Sequence, residues 1–186
     1  AHVSGDVLCS HLGLTYGGLI MNMNVTIVET CELFAELNDY LRSIGIHKVV
    51  YRPVPWIYHV HPSEEDLYAI FWKCGARLSL RNIGTTIIMS NNPKWRKDHI
   101  RRLRKAHQGG VIVKRDSDIT EFWGVLEANL YRKFGASPVH SLSEMLLLKE
   151  RFPDNIIQYN AYREDRIIGG LTVYVTQQVI HGQYSS

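Results

Sequence analysis

Hydrophobic residues recur at helical spacing in four stretches of the 186-residue chain, and polar residues or glycine mark the ends of each stretch. The predicted helices run from Thr30 to about Ser43, from Ser63 to Gly75, from Asp118 to Gly135, and from Ser141 to Pro153. The last is the most clearly marked, because Ser141 and Glu144 match the S-x-x-E capping box.

Apolar and β-branched runs predict strands between these helices. They cover residues 47–54, 77–89 as a bent strand or hairpin, 111–114, 156–162, 167–175 and 179–184, and residues 15–18 lie within a further apolar strand ahead of the first helix. The predicted order is β-α-β-α-β, then α-β-α-α-β-β-β. Strands alternate with helices first and gather later, which favours an α/β fold with a mixed β-sheet and flanking helices over a pure doubly wound fold.

A boundary near residues 90–93 divides the chain into residues 1–90 and 91–186. No Gly/Ser linker lies there, so we expect the two parts to pack closely. Cys9, Cys31 and Cys74 have no metal-ligand spacing, and they predict reduced thiols in a cytoplasmic protein. No apolar run is long enough to predict a membrane span.

The positive charge is concentrated in one segment, residues 94–105, which holds seven basic residues and a single acid, Asp98. The chain has 21 basic and 18 acidic residues, so removing this segment leaves 14 against 17, a net charge of −3. A basic coating of the whole surface is therefore excluded, whereas a local anion site is not.

The same segment predicts a helix capped by Asn91 or Asn92 and ended by Gly109 and Gly110. Its apolar side is predicted to be buried and comprises Trp95, His99, Leu103 and Ala106, with Ile100 at the margin. The opposite side is cationic and comprises Lys97, Arg101, Arg104 and Lys105, with Arg102 near the edge. One interpretation is a solvated charged face. The other is contact with phosphates, for which Arg101, Arg102, Arg104 and Lys105 are the candidates.

Two other motifs carry candidate chemistry, each beside a plainer alternative. His59 and His61 form an H-x-H pair that is either a metal ligand pair or two ordinary loop histidines, and we predict no metal. Tyr16 and Gly17 begin a Tyr-Gly-Gly run that either lets a ligand approach the backbone or marks a bulge.

A third motif is the polar end of the last predicted strand. His181 and Tyr184 are our candidate catalytic residues, because an imidazole and a phenol can exchange protons with a substrate. The alternative is a strand that emerges into solvent. His140 lies beside a predicted helix cap, where the Ser141 hydroxyl is expected to cap the helix and not to act as a nucleophile.

The basic segment and its neighbours resemble a known family. Residues 95–106 followed by Gly109-Gly110-Val111 resemble the W-x(n)-R-x-x-R-K-A…G-V signature of the FemAB-like branch of the GNAT acyltransferase superfamily. The runs 122–130, 138–141 and 148–153 and the hairpin 156–184 are similar to the next elements of that family. The resemblance implies parts of two tightly packed GNAT-like units, 1–90 being the later part of the first and 91–186 the start of the second.

The implied function is transfer of an acyl group from acyl-CoA, the donor substrate, to an amine. The amine would belong to a small molecule, a nucleotide-linked sugar or a cell-envelope precursor. The first alternative is an aminoacyl-tRNA-dependent transferase or a nucleic-acid-binding module that uses residues 94–105. A further alternative is a non-catalytic binding protein. The Q/R-x-x-G-x-G/A pyrophosphate loop is absent and the family's second unit is longer, so we expect an incomplete chain.

Overall fold

The chain forms two compact units, Ala1–Asn82 and Ile83–Ser186. A computed structural model describes residues 1–91, 94–116 and 118–186. The division falls between Asn82 and Ile83, before the predicted boundary at residues 90–93. Of those four residues, Asn92 and Pro93 lie outside the described part of the chain.

The first unit contains a three-stranded sheet and two helices. Its elements are β1 (His2–Ser4), β2 (Val7–Cys9), α1 (Ile27–Ser43), β3 (Lys48–Val50), a short 3-10 helix (Trp56–Tyr58) and α2 (Glu65–Trp72). Strand β2 lies in the middle, antiparallel to β1 and parallel to β3. The return from β2 to a parallel neighbour requires a crossover, and α1 lies in that connection.

Helix α1 begins one turn before the predicted start. Thr26 caps it, and its hydroxyl accepts a hydrogen bond from the Glu29 backbone, while the Glu29 carboxylate accepts one from the Thr26 backbone. Thr30, the predicted cap, lies in the first turn, where its hydroxyl donates to the Thr26 carbonyl. The predicted cap was therefore wrong, because the T-x-x-E box satisfies more free backbone groups. The predicted end at Ser43 is confirmed.

Two predicted strands of the N-terminal half are wrong. Residues 15–18 form an isolated bridge, Gly17 with Arg52, and no strand. Residues 77–88 have no regular structure, and a short 3-10 helix follows at Met89–Asn91. Apolar residues make a strand only when a neighbouring strand accepts their backbone hydrogen bonds, and within the described residues these segments have no such pairing beyond the single Gly17–Arg52 bridge.

The second unit is built on a four-stranded antiparallel sheet. Its elements are α3 (Lys97–Gln108), β4 (Ile112–Asp116), α4 (Thr120–Phe134), α5 (Leu142–Arg151), β5 (Ile156–Arg163), β6 (Arg166–Val175) and β7 (Ile180–Ser185). The strands follow one another in chain order across the sheet. Glu164 and Asp165 both have positive φ and close the predicted β5–β6 hairpin.

Helices α4 and α5 supply most of the second core. Phe122, Trp123 and Leu126 of α4 pack with Met145 of α5 and with Tyr184 of β7. The predicted capping box at α5 is confirmed, and so is the predicted end of α4 at Gly135, which has a left-handed conformation.

The predicted class, α/β with flanking helices, is confirmed at that level, and the described residues form two sheets instead of one. No helix among the described residues has both the length and the apolar character that crossing a membrane requires.

Candidate functional site

Helix α3 exposes its cationic side and its apolar side alike. It begins at Lys97 with Arg96 at the cap position, so the predicted cap at Asn91 was wrong. Asn92, the other predicted cap, lies outside the described residues. The predicted burial of one side was also wrong, because no residue of α3 is buried and Leu103 is 72 % exposed. Trp95 precedes the helix, so the apolar stripe is too short to hold α3 against a core.

Asp98 divides the cations of this segment into two groups. Its carboxylate lies 3.3 Å from Nε of Arg96 and 3.9 Å from a terminal nitrogen of Arg102. The positive charge on that side of the helix is therefore partly neutralised. Among the side chains that the structure describes, four other basic residues of α3 have no ion pair with a carboxylate; they are Lys97, Arg101, Arg104 and Lys105.

These four basic residues line one open hollow of about 480 Å³. Ile100 and Gln108 complete its lining, so the whole surface belongs to α3. The spacing explains this, because residues three and four apart lie on the same side of a helix. Four like charges on one helix side repel one another, and an anion of several charges would relieve that repulsion. We call this surface the α3 cationic face.

The predicted substrate- or phosphate-binding residues lie in separate places. Arg101, Arg104 and Lys105 share the α3 cationic face, whereas Arg102 is directed to Asp98. Tyr16 and Gly17 belong to the first unit. Lys97 also lies on this face, although it was not among the predicted phosphate-binding residues. Its position four residues before Arg101 places it on the same side of the helix and could have identified it.

The paired glycines of the first unit pack against their own chain. A Cβ at Gly17 would lie 2.9 Å from the carbonyl oxygen of Ser10, and one at Gly18 would lie 2.6 Å from the hydroxyl of Tyr51. The Tyr16 ring packs on Tyr58 with centroids 5.0 Å apart, and its burial raises the pKa of the phenol. The close approach that the glycines permit is thus made by neighbouring protein atoms.

Tyr51 is the centre of this packing. Its hydroxyl donates to the buried Asp66 carboxylate at 2.5 Å and accepts from the Leu19 backbone N–H at 2.7 Å. Burial, followed by the bond to Asp66, raises the pKa of the Tyr51 phenol. The sequence carried no sign of this pair.

His181 and Tyr184 lie on the same face of β7 despite their odd separation. Tyr184 pairs with Thr172 and His181 with Tyr174, and a register shift between Thr172 and Val173 makes this possible. The register therefore directs both side chains to the side of the sheet on which α4 packs.

Tyr184 is 9 % exposed and is held by His140. The Tyr184 hydroxyl lies 2.5 Å from Nδ1 of His140 and accepts a second bond from the His140 backbone N–H at 3.3 Å. The Trp123 ring meets Tyr184 edge-on, with centroids 5.1 Å apart. An imidazole and a phenol that share a hydrogen bond can pass a proton between them. The sequence marked His140 only as a neighbour of the α5 cap.

Tyr174 lies in the same environment. Burial, together with the nearby Tyr184, raises the pKa of Tyr174 to about 12. Its hydroxyl donates to Sδ of Met145 at 3.4 Å. This side of the sheet thus holds the protonated phenol of Tyr174 in a largely apolar setting.

The H-x-H pair does not assemble a ligand set in the described part of the chain. Nε2 of His59 lies 3.0 Å from the Val54 carbonyl oxygen, a contact that fixes the ring to its own loop. The described residues contain no group of three or more His, Cys, Asp or Glu side chains placed to hold a metal ion. The three cysteines are free thiols.

Comparison of the chain with family models, with curated proteins and with solved structures finds no match. Its function must therefore be inferred from the residues themselves.

Proposed function

We propose that the chain acts in N-acyl transfer of the FemAB-like GNAT type, and that the α3 cationic face binds the phosphates of its acyl-CoA donor. The observation that carries this proposal is the set of four exposed cations without described carboxylate partners. A coenzyme A thioester carries its charge on phosphates, which are the ligands that Arg and Lys side chains bind most readily.

The order of elements in the second unit supports the transferase part of the proposal. A strand, two helices and three antiparallel strands follow one another from β4 to β7. This order, with the basic segment before it, resembles the acyltransferase family. Because an order of elements does not by itself define an activity, the proposal rests on α3 and is tested there.

The reaction proposed is direct attack of an amine on the thioester carbonyl. The new C–N bond forms, the C–S bond breaks, the nitrogen loses a proton and the thiolate leaves as a thiol after gaining one. His181 and the His140–Tyr184 pair are the proton carriers that we propose for these transfers. Because Tyr184 is buried and His140 only partly so, the phenol would act through His140.

A second candidate function is nucleic-acid binding, including a transferase that takes its acyl group from aminoacyl-tRNA. The exposure of α3 on all sides favours it. From Lys97 to Lys105 the helix rises about 12 Å, and one strand of a duplex places a phosphate about every 3.4 Å along its axis. The face therefore matches about three successive phosphates, a short contact and not an extended track.

A thermal-shift panel separates these functions. The ligands are acetyl-CoA, a longer acyl-CoA, a UDP-sugar and tRNA. The transferase proposal expects stabilisation by the thioesters, which weakens as salt screens the exposed cations. A binder of nucleic acid is stabilised by tRNA alone, with a logarithmic salt slope of about −2 to −3 for three phosphates. No shift with any thioester would refute the acyl-CoA proposal.

Matched charge variants assign any effect to the α3 cationic face. The test variant is Arg101→Ala/Arg104→Ala/Lys105→Ala. The control variant removes the same charge from exposed positions elsewhere in the second unit: Lys133→Ala, Arg151→Ala and Arg166→Ala. The proposal expects ligand stabilisation to disappear in the test variant and to persist in the control. Equal responses of the two variants would show that only net charge matters.

A further inference from the structure

The first unit contains an open hollow of about 530 Å³ that the proposed function does not use. It is lined by Ile27, Trp56, Pro62, Ser63, Glu64, Glu65 and Tyr68. The hollow brings together the 3-10 helix that holds Trp56, the loop before α2 and the first turn of α2. Its lining combines aromatic rings with carboxylates, and it contains no basic residue.

Two aromatic rings are exposed in this hollow although burial would stabilise them. Trp56 is 67 % exposed and Tyr68 is 54 % exposed. Trp72 stacks on Tyr68 with centroids 6.4 Å apart and an interplanar angle of 25°, which limits the freedom of the Tyr68 ring. The faces of tryptophan and tyrosine rings attract cations, tryptophan most strongly.

The carboxylates make the hollow negative. The Ser63 hydroxyl donates to Glu65, and this bond, followed by backbone bonds, lowers the pKa of the Glu65 carboxyl, so the group is ionised at neutral pH. Within the described residues neither Glu64 nor Glu65 is ion-paired. The N-terminus of α2 contributes about half a positive charge, which is less than the two negative charges of the glutamates.

The composition of the hollow excludes two kinds of ligand. An anion would meet two ionised carboxylates without a basic partner. A metal ion such as Ca²⁺ needs six or more oxygen ligands, and no group of three acidic or other metal-ligating side chains exists in the described part of the chain. A cation that carries carbon substituents suits both features, because its charge meets the carboxylates and its alkyl surface meets the rings.

We propose that this hollow binds an organic ammonium ion, held between Trp56 and Tyr68 with Glu64 and Glu65 opposing its charge. The proposal is independent of acyl transfer, since it concerns binding by the first unit alone. The ammonium group belongs either to a small molecule or to a lysine side chain, and the two sources share the same chemistry.

The test is calorimetric titration of the full chain with choline, with its uncharged isostere 3,3-dimethyl-1-butanol, and with N-acetyl-lysine amide. Choline or the lysine derivative is expected to bind, and the isostere is expected to bind about tenfold more weakly or not at all. The stronger of the two cations identifies the source. Equal binding of choline and the isostere, or binding of neither cation, would overturn the proposal.

Variants place the binding at this hollow. Trp56→Ala is expected to weaken binding of the cation about 3- to 30-fold, while Trp95→Ala, a change at a tryptophan that is 66 % exposed, is expected to leave it unchanged. Glu64→Gln/Glu65→Gln preserves shape and is expected to weaken binding about fivefold or more. Circular dichroism checks that each variant is folded. Wild-type affinity in both the Trp56 and the double glutamine variant would overturn the assignment.

Discussion

The Tyr184 hydroxyl lies 2.5 Å from Nδ1 of His140, a residue 44 positions earlier in the chain. The same hydroxyl accepts a bond from the His140 backbone, so one phenol fixes both the ring and the main chain of the segment before α5. The loop between α4 and α5 is thereby tied to strand β7. The pair is a structural connection first, and any proton transfer through it depends on that connection.

Replacing Tyr184 by phenylalanine should destabilise the second unit. The change removes both hydrogen bonds and leaves the His140 groups without this partner, at a cost of about 1–3 kcal/mol. Chemical denaturation monitored by circular dichroism measures the free energy of unfolding. Tyr131→Phe, at an exposed tyrosine, is the control and should change little. An unfolding free energy equal to that of the wild type would show that the bond contributes nothing.

Raising the pH above 10 should destabilise the first unit through Tyr51. The folded state raises the pKa of this phenol above its unfolded value near 10, so its contribution is complete below pH 10 and is lost as the pH rises further. The midpoint of urea unfolding should therefore fall more steeply above pH 10 in the wild type than in Tyr51→Phe. Parallel pH profiles for the two proteins would contradict this assignment.

Removal of the α5 cap should lower the free energy of unfolding, and the size of this loss should depend on pH. Ser141→Ala deletes a bond to the Glu144 backbone and is expected to cost about 1 kcal/mol. Bonds from Ser141 lower the pKa of Glu144, so this carboxylate stabilises the helix above its unfolded pKa, and the effect fades as the pH falls through the folded value. Urea unfolding should show a smaller difference in unfolding free energy between variant and wild type at pH 3 than at pH 7. An equal difference at the two pH values would contradict this role of Glu144.

A methyl group at Gly18 should disturb the first unit. Alanine there would place Cβ 2.6 Å from the Tyr51 hydroxyl and 3.2 Å from Cα of Pro53, so the Tyr51 ring must move and strain its hydrogen bond to Asp66. Gly84→Ala is the matched control because no atom lies within 4 Å of its added Cβ. Thermal melts should show a lower melting temperature for Gly18→Ala than for Gly84→Ala. The reverse order would contradict the observed packing.

The predictions that succeeded concern local signals with strong physical causes. The α5 capping box, the end of α4 at Gly135 and the β5–β6 hairpin each depend on residues close together in sequence. The residues that form the second core were predicted as helix and strand positions for the same reason. Four of the predicted strand regions in the second unit are confirmed with small changes at their ends.

The errors concern features that need a distant partner. Residues 77–88 have an alternating pattern, yet a strand requires a neighbour, which no local pattern supplies. The α3 cationic face was predicted from helical spacing, but burial of the apolar side of α3 depends on whether another surface covers it. The His140–Tyr184 and Tyr51–Asp66 bonds join residues that lie far apart in sequence. Spacing alone could not have paired them.

The affinity of acetyl-CoA for the chain tests the central claim most directly. Titration calorimetry compares the wild type, Arg101→Ala/Arg104→Ala/Lys105→Ala and the control that lacks Lys133, Arg151 and Arg166. If each of the three exposed cations contributes about 0.2–1 kcal/mol to binding, removing all three lowers the affinity by about 3- to 150-fold. We predict binding by the wild type, a loss in that range for the α3 variant and wild-type affinity for the control. Equal affinities for all three proteins, or no binding by the wild type, would contradict the claim.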